Sequence, residues 1–302
     1  MTTSAIVQSS TSVAASTPAE TALQAKELRI GTILMNRGLL TASQINEVLQ
    51  YQQNSDMRFG EIAIKLKMVQ PKDVEAALAL QFGLAQVEPR ATNLPPQLVA
   101  SGSPSAPFAE ALRGLRSQLM QRWFDGSPAQ TSVAITSVDR GDGKSFITAN
   151  LAVVFAQLGE RTLVIDADLR HPTQHKIFNV KNKMGLSGVL SGRAGLEEII
   201  DIPNVPNLSL LPSGPLPPNP QELLGGQRFG ELLNLMSSRY NTILVDTPSA
   251  QEATDINVVA QLTGAVVLVG RKDKTKSTEL AQLANILSSG GVKILGATFN
   301  TN

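Results

Sequence analysis

At 302 residues, 42% hydrophobic, the chain is long enough for about two domains with an α/β-sized core. Its formal net charge of +1 excludes long-range electrostatic capture, so neither nucleic acid nor an acidic lipid surface is an expected partner. Having no cysteine excludes a disulfide framework and a thiolate zinc site, and no apolar run approaches the ~20 residues that cross a bilayer.

Residues 1–26 are rich in Ser, Thr and Ala and are expected to form a disordered tail. They lack the basic and apolar regions of a secretion signal, so a cytoplasmic protein is expected. Residues 27–88 read as a small all-helical domain with an internal repeat. Arg29 to Gln52 aligns with Arg58 to Gln81 at a constant offset, pairing Arg29 with Arg58, Gly31 with Gly60 and Leu49 with Leu78. Each copy predicts a short helix, a turn and a longer helix whose apolar stripe needs the other copy for burial. The plain reading is a scaffold or docking domain. Residues 89–107, rich in Pro and Ser, predict an extended linker.

From Phe108 to Asn302 helix and strand patterns alternate, which predicts an α/β domain with a mainly parallel sheet flanked by helices. It opens on Glu110, Arg113 and Arg116, spaced by three along one expected helix face. An apolar strand then runs into Val138-Asp139-Arg140-Gly141-Asp142-Gly143-Lys144-Ser145 and a helical pattern. This is a phosphate loop of the P-loop NTPase kind. The backbone N–H groups from Gly141 through Asp142, Gly143, Lys144 and Ser145 to Phe146 can surround phosphate, Lys144 can neutralise it, and the Ser145 hydroxyl can ligate Mg²⁺. Val138 stands where a full Walker A motif has its first glycine, so the loop alone reads as an ATP or GTP site of moderate specificity. Two further strand patterns supply the context. One ends at Asp166, Asp168 and Arg170, the other at Asp246. Strand ends in such sheets face the crevice beside the loop, so these carboxylates and Lys144 should surround one Mg-nucleotide. His171 and His175 lie four apart without a third ligand, and the basic run 271–276 reads as a hydrated face.

Together with these motifs, the segments 108–119, 184–192, 211–224, 246–255 and 295–300 resemble the bacterial tyrosine kinases of polysaccharide synthesis. With the helical domain in front, the chain looks like the chain-length-determinant tyrosine-kinase subgroup of exopolysaccharide loci. The resemblance implies ATP and Mg²⁺ as cofactors, with Lys144 on the β- and γ-phosphates and Ser145, Asp168 and Asp246 at the metal. Asp166 becomes the candidate base for a tyrosine hydroxyl, the roles of Asp166 and Asp168 being exchangeable. Arg170 joins the nucleotide set, and Asn300 sits where related proteins place an amide against adenine. Glu110, Arg113 and Arg116 become a contact between subunits of a homo-oligomeric ring. The partner implied is a membrane polysaccharide co-polymerase, a chain-length regulator that recruits the chain to the inner face of the membrane.

The helical repeat is similar to the N-terminal domain of type II secretion and pilus ATPases, which makes Arg29, Gly31, Arg58 and Gly60 a candidate cyclic di-GMP site. Lys67 departs from that pattern, standing where the first copy has Gly38, and predicts an impaired turn there. The family's usual C-terminal tyrosine cluster is also missing. The chain carries only Tyr51 and Tyr240, so autophosphorylation of that kind is not expected. Two other readings remain open, a nucleotide-switched adaptor without catalysis and a Min- or Par-type ATPase switch. The second is weakened by the ring-type helix and by the lack of the extra lysine such switches carry near the start of the loop, where Arg140 stands nearest.

Overall fold

The computed structural model describes residues 30–81, 97–98, 100, 107–124, 126–203, 205–252 and 254–301. Arg29, residues 1–26 and most of the expected linker lie outside them. Two compact units divide between Gln81 and Phe82.

The first unit holds α1 (Ile30–Asn36), α2 (Ala42–Gln53), α3 (Phe59–Lys65) and α4 (Pro71–Gln81). Thr41 caps α2 through a reciprocal box with Gln44, and the Glu61 carboxylate accepts the Arg58 N–H at the start of α3. Ile33, Leu34, Val48, Ile62 and Val74 form one core from both repeats. The repeat glycines have a packing reason. A Cβ on Gly31 would meet Phe59 at 3.1 Å, and one on Gly60 would meet Val74 at 2.5 Å. The turn at Lys67 is not impaired as the sequence predicts. Its backbone adopts φ 57°, close to the 69° of Gly38, so the turn is kept with a strained lysine.

The second unit begins with α5 (Pro107–Arg122), then β1 (Ser132–Ser137), α6 (Lys144–Gln157) and β2 (Thr162–Asp166). After α7 (Gln174–Ile177), α8 (Gly185–Leu190), β3 (Ile200–Asp201) and β4 (Leu208–Leu211) come α9 (Pro220–Gly225) and α10 (Gln227–Ser237). The chain closes with β5 (Thr242–Asp246), α11 (Asp255–Thr263), β6 (Ala265–Arg271), α12 (Ser277–Ser289) and β7 (Lys293–Asn300). The strands form one seven-stranded sheet in the order β3-β4-β2-β5-β1-β6-β7, parallel except for β3. Every residue of β1, β2 and β5 is buried, as a parallel sheet covered on both faces requires. Alternate residues serve opposite cores: Val133, Ile135 and Leu244 pack toward α5 and α6, whereas Ala134, Ile243 and Val245 face α10 and α11.

Leu98 and Ala100, expected in an extended linker, are packed instead. The Asn150 side chain accepts the Ala100 N–H and donates to the Gln97 carbonyl, satisfying backbone that would otherwise be buried bare. No helix among the described residues is long and apolar enough to cross a membrane.

Candidate functional site

β2, β5 and β1 are immediate neighbours, so their C-terminal ends open side by side. Asp166 ends β2 in register with Asp246 at the end of β5, and Asp246 is in turn level with Ile135 of β1. The phosphate loop leaves β1 two residues later, turning through Gly141 and Gly143 at φ 87° and 95°. Gly143 precedes a helix whose first N–H groups receive no side-chain cap, which leaves them for an anion.

Lys144 is buried, and its Nζ stands 3.4 Å from Asp168 Oδ2 while Asp168 Oδ1 accepts the His171 N–H. Asp166 Oδ2 accepts the backbone N–H groups of Thr173 and Gln174. Asp246 Oδ2 accepts the Gln174 side-chain amide at 2.8 Å. The other oxygen of each, Oδ1, is buried without a hydrogen-bond partner. Burial, followed by the neighbouring Asp246 charge, raises the Asp166 carboxyl well above its ordinary range. Burial likewise pushes Asp246 up to about 6, although Lys144, the Gln174 amide and the nearby Ser145 hydroxyl pull it back.

Two adjacent buried carboxylates with free oxygens fit a hard divalent cation. Mg²⁺ is commonly held by one or two carboxylates and completed by water and phosphate, and no larger cluster of metal-ligating side chains is present among the described residues. Beside them lies a cavity of about 400 Å³ lined by Gly141, Lys144, Ser145, Asp168, His171 and Lys176. A larger cleft of about 560 Å³ lies at the opposite end of the strands around Arg161 and Tyr240, where no such constellation converges.

The expected residues gather only in part. It is Asp166, not Asp168, that adjoins Asp246, because Asp168 is drawn to Lys144. The Asp142 side chain turns inward, where it accepts the Asp139 N–H and the Thr275 hydroxyl and so braces the loop. Arg170 makes a two-pronged pair with buried Asp255 through Nε at 3.0 Å and Nη2 at 3.3 Å. Asn300 packs on Gly143, directing its amide toward the Asp142 carbonyl. Arg116 leaves the expected docking face. It is buried and donates to the Val154 carbonyl, while Glu110 and Arg113 pair with each other.

Sequence reasoning missed Gln174, which nothing in its spacing marks, and Lys274, whose Nζ lies 3.1 Å from the Arg140 carbonyl on the loop. The basic run containing Lys274 is therefore not simply the hydrated face its composition predicts. Thr275 on Asp142 is the other sign that this run touches the site.

Residues 133–298 match the CobQ/CobB/MinD/ParA nucleotide binding domain. The chain is 36% identical over 203 residues to the putative tyrosine-protein kinase CapB of Staphylococcus aureus, covering 67% of this chain and 88% of the relative. It is 36% identical to tyrosine-protein kinase YwqD of Bacillus subtilis, covering 70% and 88%. A third relative, tyrosine-protein kinase wzc of Salmonella typhi, is 35% identical, but the match spans only 28% of that longer protein. Among solved structures, the kinase domain of Escherichia coli tyrosine kinase ETK superposes with a TM-score of 0.64 at 33% identity, covering 69% of this chain and 81% of that one. The chimerical protein CapA2B2 gives 0.63 at 36% identity, covering 75% and 98%.

Proposed function

The chain belongs to the bacterial tyrosine-kinase family, and from that premise we propose that it is a Mg-ATP-dependent tyrosine-kinase-like ATPase of exopolysaccharide synthesis or export. The observation that carries this reading is the pair of free oxygens on Asp166 and Asp246 beside the Lys144 ammonium and the uncapped helix. Bound Mg²⁺ would neutralise charge shared by the β- and γ-phosphates. The loop backbone from Gly141 to Phe146 and Lys144 would bind the phosphates, while Ser145, Asp166 and Asp246 would hold the ion. Asp168, which lines the cavity, takes the proton of the incoming phenol, an acid near pKa 10 that needs a base within hydrogen-bond reach.

The acceptor comes from elsewhere than Tyr240. That residue stands at the other end of β5, six residues from Asp246, about 20 Å away at 3.3 Å per residue. In this reading a membrane chain-length regulator recruits the chain to the inner face of the membrane, where copies assemble through the Glu110–Arg113 surface. The helical unit serves as a docking module, and cyclic di-GMP is the alternative ligand, with Arg58 exposed at the start of α3.

Labelled ATP, supplied with and without the cytoplasmic region of such a regulator, tests the proposal. Phosphate release or protein-bound phosphotyrosine that disappears in Lys144→Ala supports it. Binding of nucleotide with neither product under any condition supports the adaptor instead. Calorimetric titration with cyclic di-GMP decides the helical unit, since absence of binding leaves docking alone.

A further inference from the structure

We infer that Gln174 is the positioning residue that turns one oxygen of each of two carboxylates, Asp166 and Asp246, toward the metal subsite. This deepens the Mg-nucleotide reading above and rests on it.

Gln174 is wholly buried at the first position of α7, where it reaches three parts of the site. Its backbone N–H donates to Asp166 Oδ2 at 3.0 Å. Its side-chain nitrogen donates to Asp246 Oδ2 at 2.8 Å and to the Ser145 carbonyl at 3.0 Å. Both side-chain partners are acceptors, so only one orientation of the amide satisfies them. In each carboxylate the Oδ2 atom is therefore held and Oδ1 is left over, buried and unpartnered. Strand register sets the two residues side by side, about 4.8 Å apart between strands.

The choice of an amide is chemically informative. A lysine or arginine here would hold Asp246 Oδ2 with its side chain but cancel the charge. A neutral donor fixes that oxygen's direction and leaves the negative charge for a cation, while Asp166 Oδ2 is held by backbone N–H groups that any residue supplies. Lys144, whose ion pair is with Asp168, offsets that charge only in part. The bond to the Ser145 carbonyl further ties Asp246 to the first turn of the phosphate-binding helix, so both halves of the subsite share one brace.

The test is equilibrium binding of ADP in excess EDTA and in excess Mg²⁺, for the parent protein, Gln174→Met and Gln174→Leu, with thermal unfolding as the check on folding. Met keeps length and apolar volume but has no donor, and Leu likewise keeps apolar volume with no donor and no charge. The expected result is unchanged affinity for metal-free ADP and a preference for Mg-ADP reduced about 10–100-fold, as when the partner that orients a metal ligand is lost. If the Met variant does not fold, the Leu variant decides by the same measurement. Retained Mg²⁺ preference in a folded variant overturns the inference alone, as does an equal loss with and without metal, which marks a scaffold for the loop. A parent protein that binds ADP no better with Mg²⁺ overturns the site reading and this inference together.

Discussion

Replacing Asp246 with asparagine should make the ligand-free protein more stable while removing the extra nucleotide affinity that Mg²⁺ supplies. Burial lifts the Asp246 carboxyl from 3.8 to about 6, so folding favours its protonated form. The associated stabilisation is complete below pH 3.8 and is lost as pH rises through about 6; above that, the folded protein carries an ionised group that it holds poorly. At 1.36 kcal/mol per tenfold change in proton affinity, that burden reaches about 3 kcal/mol. The neutral asparagine side chain would escape it, still offering an oxygen to the Gln174 amide, and Lys144 would keep Asp168 at 3.4 Å. For a domain of this size the gain corresponds to a rise in Tm of about 6–12 °C as an upper bound. Thermal unfolding in EDTA above pH 7 measures it. The gain should fall to roughly half near pH 5 and to a few tenths of a kcal/mol near pH 4. Mg²⁺ should add to the rise in Tm that ADP alone gives the parent and add nothing to it for the variant. A lower Tm for the variant in EDTA, or a gain independent of pH, would refute the reasoning.

Gly143→Ala should lower both Tm and ADP affinity, because φ 95° strains an L-residue and the new methyl falls on the Asn300 amide. The expected loss is about 1–3 kcal/mol, and parent-like values for both would contradict it. Lys67→Gly should stabilise the helical unit by about 1 kcal/mol by relieving the left-handed lysine, read as slower amide exchange across residues 59–74; faster exchange there would count against the assignment. Arg116→Ala should cost about 1–3 kcal/mol in thermal unfolding, since it empties a buried site and leaves the Val154 carbonyl unpaired, with oligomeric state unchanged by sedimentation. A changed oligomer with an unchanged Tm would return Arg116 to the docking face.

The end of the sheet that carries the candidate site was legible because its signals are local. Uninterrupted apolar runs in β1, β2 and β5 mark strands buried on both faces, and each ends in the loop or in an acid. Which acids adjoin was not legible, because that depends on β5 lying between β1 and β2, and the chain order does not state it. The sequence left Asp166 and Asp168 exchangeable, and it is Asp166 that strand register sets beside Asp246. Gln174 was invisible for a related reason: its partners Ser145 and Asp246 lie 29 and 72 residues away. Helical spacing correctly grouped Glu110, Arg113 and Arg116 on α5, but spacing carries no information about which part of that surface α6 covers, and Arg116 is covered. The proline- and serine-rich composition around residues 97–100 suggested exposure. Asn150 reverses that locally by supplying the hydrogen bonds that let Leu98 and Ala100 pack.

The most direct test of the whole account is a crystal of the protein grown with ADP and Mn²⁺ in place of Mg²⁺, located by its anomalous scattering. One ion should appear bound directly or through water by Asp166 Oδ1, Asp246 Oδ1 and the Ser145 hydroxyl, with the β-phosphate on Lys144 Nζ. An ion or a nucleotide lodged elsewhere, with those two oxygens still unengaged, would contradict it.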